Sequence, residues 1–145
     1  MDRYEISTDP ARLDIGAMHE YLTTSYWSPG IPLETVQRAA HNSLCFGVYE
    51  IATGRQVGLA RVVTDHATFA YLCDVYVLQE HRGTGLGKRL MREVMAHPAI
   101  TGARRTMLAT RDAHGLYRQV GFADVGTSRT LMEIVKPDIY GVRAR

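Results

Sequence analysis

The sequence predicts an α+β fold with a central, mostly antiparallel mixed sheet flanked by helices. Three observations carry this. Residues 44–78 hold three successive β-rich runs set apart by turn signals. Apolar residues at helical spacing precede that block and follow it. Strands and helices mix without the strict alternation of a parallel α/β sheet.

The elements follow in order. Arg3 to Ser7 reads as a short first strand. Asp9-Pro10 then supplies a helix cap with proline in the first turn, where its missing N–H costs nothing. Leu13, Ala17, Met18, Tyr21 and Leu22 continue that helix with one apolar face, and Ser28-Pro29-Gly30 breaks it. Pro32 opens a second helix carrying Val36, Ala39 and Ala40. Leu44 to Glu50 is a strand ending at the Thr53-Gly54 turn. Gln56 to Thr64 and Thr68 to Leu78 complete an antiparallel meander. Leu86, Leu90, Met91, Val94 and Met95 mark an amphipathic helix closed before His97-Pro98. Arg105 to Thr110 reads as a strand, Ala113 to Val120 as a short helix stopped by Gly121, and Thr130 to Val135 as the last strand.

Composition narrows the function classes. A chain of 145 residues has the usual size of one domain, so residues 1–145 are read as a single domain. Hydrophobic residues at 46% and charged residues at 22% fit a globular protein and exclude long disorder. Lys plus Arg total 17 against 15 Asp plus Glu, and a net charge of +2 gives no strong field for nucleic acid or a membrane. No apolar stretch reaches the roughly 20 residues that cross a bilayer, and the opening MDRYEISTDP lacks the apolar core of a signal peptide. Cys45 and Cys73 are too few for a disulfide framework and read as buried small hydrophobes. The six histidines show no metal-ligand spacing. The expectation is a cytoplasmic protein that needs no metal, nucleic acid or membrane.

The most informative stretch runs from Asp74 to Leu90. A strand enters a loop carrying Gly83, Gly85 and Gly87, and a helix begins at once. Glycine lets a backbone approach a ligand closely, and a helix start offers unpaired N–H groups with partial positive charge. Together they suit a phosphate, with Arg82, Lys88 and Arg89 adding charge. A P-loop would need Ser or Thr after Gly87-Lys88, and Arg89 stands there. The dinucleotide fingerprint fails too, because its third glycine falls three residues after the second, not two. A plain strand-to-helix turn would also use such glycines.

Arg82-Gly83-Thr84-Gly85-Leu86-Gly87 resembles motif A of the GNAT superfamily, the GCN5-related N-acetyltransferases. Leu116-Tyr117-Arg118-Gln119-Val120-Gly121-Phe122 is similar to that family's motif B, and the two occur in the family's order. The resemblance covers most of the chain and implies the GNAT fold. It implies acetyl-coenzyme A as co-substrate, its pyrophosphate held by Arg82, Gly83, Thr84, Gly85, Leu86, Gly87 and Lys88. Backbone groups at Val75 and Val77 would pair with the pantetheine arm, and Asp112 and Leu116 would border it. Asp112 stands near a position where the family often has asparagine, and it also reads as a helix cap.

The implied reaction is direct acetyl transfer to a primary amine, of a small molecule or peptide, in a ternary complex. It needs orientation, oxyanion stabilisation and a proton for the departing sulfur. Tyr117 matches the family tyrosine that donates this proton, and a phenol with pKa of about 10 stays protonated at neutral pH. The amine must lose a proton; Asp74, Asp112, His114 and His81 are the candidates, with Asp74 best placed on the cofactor strand. Tyr21, Tyr26 and Trp27 end the first helix, where the family's acceptor site lies, so Tyr26 and Trp27 are candidate acceptor-binding residues that could equally pack the core. Relatives often dimerise, which leaves a homodimer open. The alternatives are a non-catalytic acyl-coenzyme A-binding or protein-interaction module on the same fold, and a module for another phosphate ligand.

Overall fold

The computed structural model describes residues 2–126 and 130–141. Its elements are β1 (Tyr4–Ser7), a 3-10 turn (Pro10–Arg12), α1 (Ile15–Leu22), α2 (Leu33–His41), β2 (Leu44–Glu50), β3 (Gln56–Thr64) and β4 (Phe69–Val77). A second 3-10 turn (Gln79–His81), α3 (Leu86–Ala96), α4 (Pro98–Thr101), β5 (Arg105–Leu108) and α5 (His114–Arg118) complete it. The strands lie in sequence order, β1-β2-β3-β4-β5. All neighbours are antiparallel except β4 and β5, which are parallel.

Both faces of the sheet are covered. Leu86, Leu90, Met91 and Val94 of α3 pack on Phe46, Val48, Val62 and Leu72. Met18 and Leu22 of α1 and Val36 and Ala40 of α2 pack with Cys45, Leu59 and Tyr76. This is why β3 reads Val57-Gly58-Leu59-Ala60 with no polar alternation: a strand covered on both sides has no solvent face. Leu90 and Met91 are fully buried, each burial worth roughly 1.5–3 kcal/mol.

Two irregularities shape the site. The β4–β5 ladder stops at Leu72 and Leu108, although β4 runs on to Val77, so the two strands part and open a cleft. In β4 itself, Leu59 pairs with Tyr76 and Arg61 with Cys73, so Asp74 and Val75 together oppose Ala60 as a bulge. Asp74 takes φ of +50°, which turns its carboxylate toward Arg61 and the loop after α1.

Four expectations are corrected. The helix expected from Asp9-Pro10 is split: Asp9 caps only the 3-10 turn, and α1 starts anew at Asp14, whose side chain accepts from the Ala17 amide at 3.0 Å. Asp112 does not cap α5, because Thr110 Oγ1 takes the Ala113 amide at 3.1 Å and the helix begins after Ala113. Thr130 to Val135 forms no strand; Met132 is 97% and Ile134 91% exposed, and no described strand lies on the outer side of β5 to pair them. Finally, α4 was not expected, and it forms because His97 caps it and Pro98 starts it.

Candidate active site

The cleft between β4 and β5 holds a cavity of about 790 Å³. One end is the glycine loop. Gly85 is the N-cap residue of α3 at φ +79° and offers no side-chain cap. The first amides of α3 are thus left to other partners. A Cβ added at Gly83, Gly85 or Gly87 would meet nothing within 4 Å, so the loop encloses an open cradle. Lys88 lines the same end. These features fit a pyrophosphate.

Arg82 lies there too, but its guanidinium is engaged. Nε donates to the Val77 carbonyl at 2.7 Å and Nη2 to Tyr21 Oη at 3.2 Å. It ties the glycine loop to β4 and α1, and it occupies the Val77 carbonyl expected to face the pantetheine arm. Thr84 turns its hydroxyl onto the His81 carbonyl at 3.1 Å and does not line the cavity. The strand residues Val75 and Val77, with Leu86, Asp112 and Leu116, do line it.

Tyr117 on α5 lines the same cavity. Its ring meets Phe122 edge-on at 6.0 Å, which holds α5 against the chain that follows it. Burial raises the Tyr117 pKa, and the nearby Tyr26 and Asp112 raise it further. The hydroxyl therefore stays protonated and able to donate.

Another part of the wall is aromatic. Trp27 meets Tyr26 edge-on at 5.0 Å and Tyr21 at 6.3 Å, and Tyr21 stacks on Tyr76 at 3.9 Å. The Arg111 guanidinium lies 3.9 Å above the Tyr26 ring. Trp27 Nε1 donates to Asp74 Oδ1 at 2.8 Å, and Arg61 Nε donates to Asp74 Oδ2 at 2.7 Å. Burial opposes the charge on Arg61, but Asp74, with Cys73 and Cys45 beside it, raises the Arg61 pKa overall.

Of the site residues expected from the sequence, the cleft brings together all but Thr84 and the proton-acceptor candidates His81 and His114. The other proton-acceptor candidates disperse. His81 is buried and joined to Tyr4 Oη through Nδ1 at 2.8 Å, and it does not line the cleft. His114 lines a second cavity of about 350 Å³ with Arg118 and Phe122. Asp112 stays exposed at the rim. Sequence reasoning missed Arg61, Cys73, Tyr76 and Thr110. Arg61 had a signal: a lone charge inside an apolar strand needs a partner. Among the described residues no group of three or more metal-ligating side chains occurs, and no helix is long and apolar enough to cross a membrane.

Residues 14–122 match the model of the acetyltransferase (GNAT) family, which spans both motifs. The chain is 51% identical to a candidate GNAT-family acetyltransferase from Xanthomonas campestris pv. campestris, whose crystal structure superposes with a TM-score of 0.92 over 98% of this chain and 99% of that one. It is 34% identical to a candidate acetyltransferase of Gibberella zeae, over 83% of this chain and 80% of that protein. Glucosamine-6-phosphate N-acetyltransferase from Arabidopsis thaliana shares the fold at 15% identity and a TM-score of 0.63, over 93% of this chain and 98% of that one.

Proposed function

The chain belongs to the GNAT acetyltransferase family, and on that premise we propose that it transfers the acetyl group of acetyl-coenzyme A to a primary amine by direct attack in a ternary complex. The observation that supports this best is the lining of the cleft: one cavity is walled by an uncapped helix start and glycine cradle, a cluster of aromatic rings and the half-buried phenol of Tyr117.

Acetyl-coenzyme A supplies an activated thioester carbonyl. The amides of Gly83 to Lys88 and the start of α3 hold its pyrophosphate. The cleft edge of β4 beyond Leu72, left without a β5 partner, offers backbone groups to the pantetheine arm. Tyr117 donates the proton that the departing sulfur needs, and the proton lost by the attacking amine passes to water in the open cleft. Tyr26 and Trp27 wall the chamber through which the amine arrives. The acceptor is a small-molecule or peptide amine, and we place the protein in the cytoplasm as one domain that needs no metal. A homodimer has its natural place at the edge strand β5, where Leu131 shares a small cavity with Arg105 to Met107 and is followed by the exposed Met132, Ile134 and Val135.

Turnover of acetyl-coenzyme A with a panel of primary amines, read by thiol release, tests this reading. Amine-dependent thiol release supports it. Tight acetyl-coenzyme A binding with no thiol release for any amine would favour the non-catalytic binding module instead.

A further inference from the structure

Asp74 is the polar anchor of the aromatic chamber. Its carboxylate is 9% exposed, with one oxygen accepting the Trp27 indole N–H and the other accepting Arg61. Arg61 is itself braced, since its Nη1 donates to Ser43 Oγ at 3.0 Å. Asp74 also holds a left-handed backbone in the middle of a strand, a conformation that L-residues adopt only where the surroundings impose it. Such an arrangement suits a fixed strut. A general base, by contrast, is favoured by a free lone pair turned to the amine, and here one lone pair of each oxygen is already held by a donor and the Arg61 charge favours the ionised form.

The strut ends on a residue that matters. The Tyr26-Trp27 pair touches β4 and the segment that follows β5. Trp27 reaches β4 through Asp74, and Tyr26 Oη accepts the Arg111 amide, just beyond β5, at 3.4 Å. The pair therefore bridges the cleft on the side of α1 and α2. Apolar packing alone lets an indole rock within its slot, whereas a hydrogen bond from Nε1 to a buried carboxylate fixes the plane of the ring. Aromatic faces are complementary to flat apolar groups and to cations.

We propose that Asp74 is a positioning residue: with Arg61 it fixes the Trp27 indole as the wall of the acceptor chamber, and so selects amines that carry a flat apolar group. This rests on the acetyl-transfer reading. The role is distinct from that of a base, because Asp74 acts on the acceptor through Trp27.

Trp27 is the only tryptophan of the chain, so intrinsic emission reports on it directly. The experiment uses the full chain, acetyl-coenzyme A, and phenethylamine against n-butylamine as probes, with Asp74→Asn, Trp27→Phe and the double variant. Asp74→Asn is expected to shift the Trp27 emission and increase its quenching by acrylamide. Each single variant is expected to raise the phenethylamine KM about tenfold while kcat stays within about threefold, with little change for n-butylamine. The double variant should be no worse than either single one, the signature of two residues acting as one device. A loss of kcat of about 100-fold from Asp74→Asn that persists on the Trp27→Phe background, with the acid limb of the pH profile gone, would make Asp74 the base and overturn the proposal. Unchanged Trp27 emission in Asp74→Asn overturns it as well. Should Asp74→Asn fail to fold, Trp27→Phe alone decides, since an unaltered preference between the two amines would contradict the role of the wall. No turnover in the wild type sinks the acetyl-transfer reading and the acceptor selection with it, while the emission result still settles whether Asp74 holds Trp27.

Discussion

Burial is the largest influence on the Tyr117 phenol, and it acts with Tyr26 and Asp112 to raise the pKa above the ordinary value of 10.0. A donor with a raised pKa keeps its proton throughout the physiological range, so Tyr117 should impose no alkaline fall in kcat below about pH 10. Tyr117→Phe is expected to lower kcat about 100-fold, within the span usual for a lost general acid, and to leave acetyl-coenzyme A affinity within about threefold. Equal turnover in the variant, measured by thiol release, would remove the role. The two thiols behave alike. Burial pushes the pKa of Cys45 up to about 11 and that of Cys73 up to about 12, against an ordinary 9.0. A group whose folded pKa is raised contributes stability that is intact below its unfolded pKa and lost as pH rises through the folded one. Stability should therefore be level between about pH 7 and 8 and fall from about pH 9 toward pH 12 in denaturant titrations. Both thiols should also react slowly with a disulfide reagent at pH 8 until the chain is unfolded.

The start of α3 separates binding from folding at the scale of an element. Gly87 lies in the first turn of that helix, and a Cβ there meets nothing within 4 Å. Alanine is the better helix former by roughly 0.5–1 kcal/mol, so Gly87→Ala should hold or raise the melting temperature. The same methyl group would stand in the cradle, so acetyl-coenzyme A affinity should fall at least fivefold by calorimetry. A variant that binds normally would mean that the cradle does not approach its ligand closely. In β2 the outcome is the reverse. A Cβ at Gly47 would run into the Tyr49 hydroxyl and ring, and Tyr49 is buried, so Gly47→Ala should destabilise the fold by about 1–3 kcal/mol. The elements that were legible in the sequence are those whose signals are local. Strands β2 and β3 match the reading residue for residue, because β-formers end at a Thr-Gly turn. The segment 130–135 was misread because its apolar run looks like a strand, and propensity cannot say whether a neighbouring strand exists to pair with it. Asp9 and Asp14 both carry cap chemistry, and the sequence does not say which of them starts the long helix.

Across the whole molecule, the glycine loop and the Leu116-to-Phe122 motif were legible because each is contiguous in sequence. The Arg61–Asp74–Trp27 link was not. Asp74 lies 13 residues from Arg61 and 47 from Trp27, and only the sheet and the α1–α2 loop bring them together. The bulge that aims Asp74 leaves no mark in the strand pattern. A second consequence at this scale concerns association. With no described strand beyond β5 and four large apolar residues exposed between Leu131, which lies beside β5, and Val135, light scattering should give twice the mass of one chain, and Ile134→Lys should shift the protein to the monomer. A wild type that is monomeric at every concentration would contradict the dimer without touching the chemistry. Everything proposed for the chemistry depends on acetyl-coenzyme A occupying the β4–β5 cleft. That occupancy is tested most directly by thermal unfolding with acetyl-coenzyme A, ATP or NAD. At about 100 times its Kd a ligand of the folded state adds roughly 2.7 kcal/mol of stability. A rise of several degrees with acetyl-coenzyme A, absent with ATP and NAD, is the predicted result. No rise at millimolar acetyl-coenzyme A, or an equal rise with ATP, would contradict the claim.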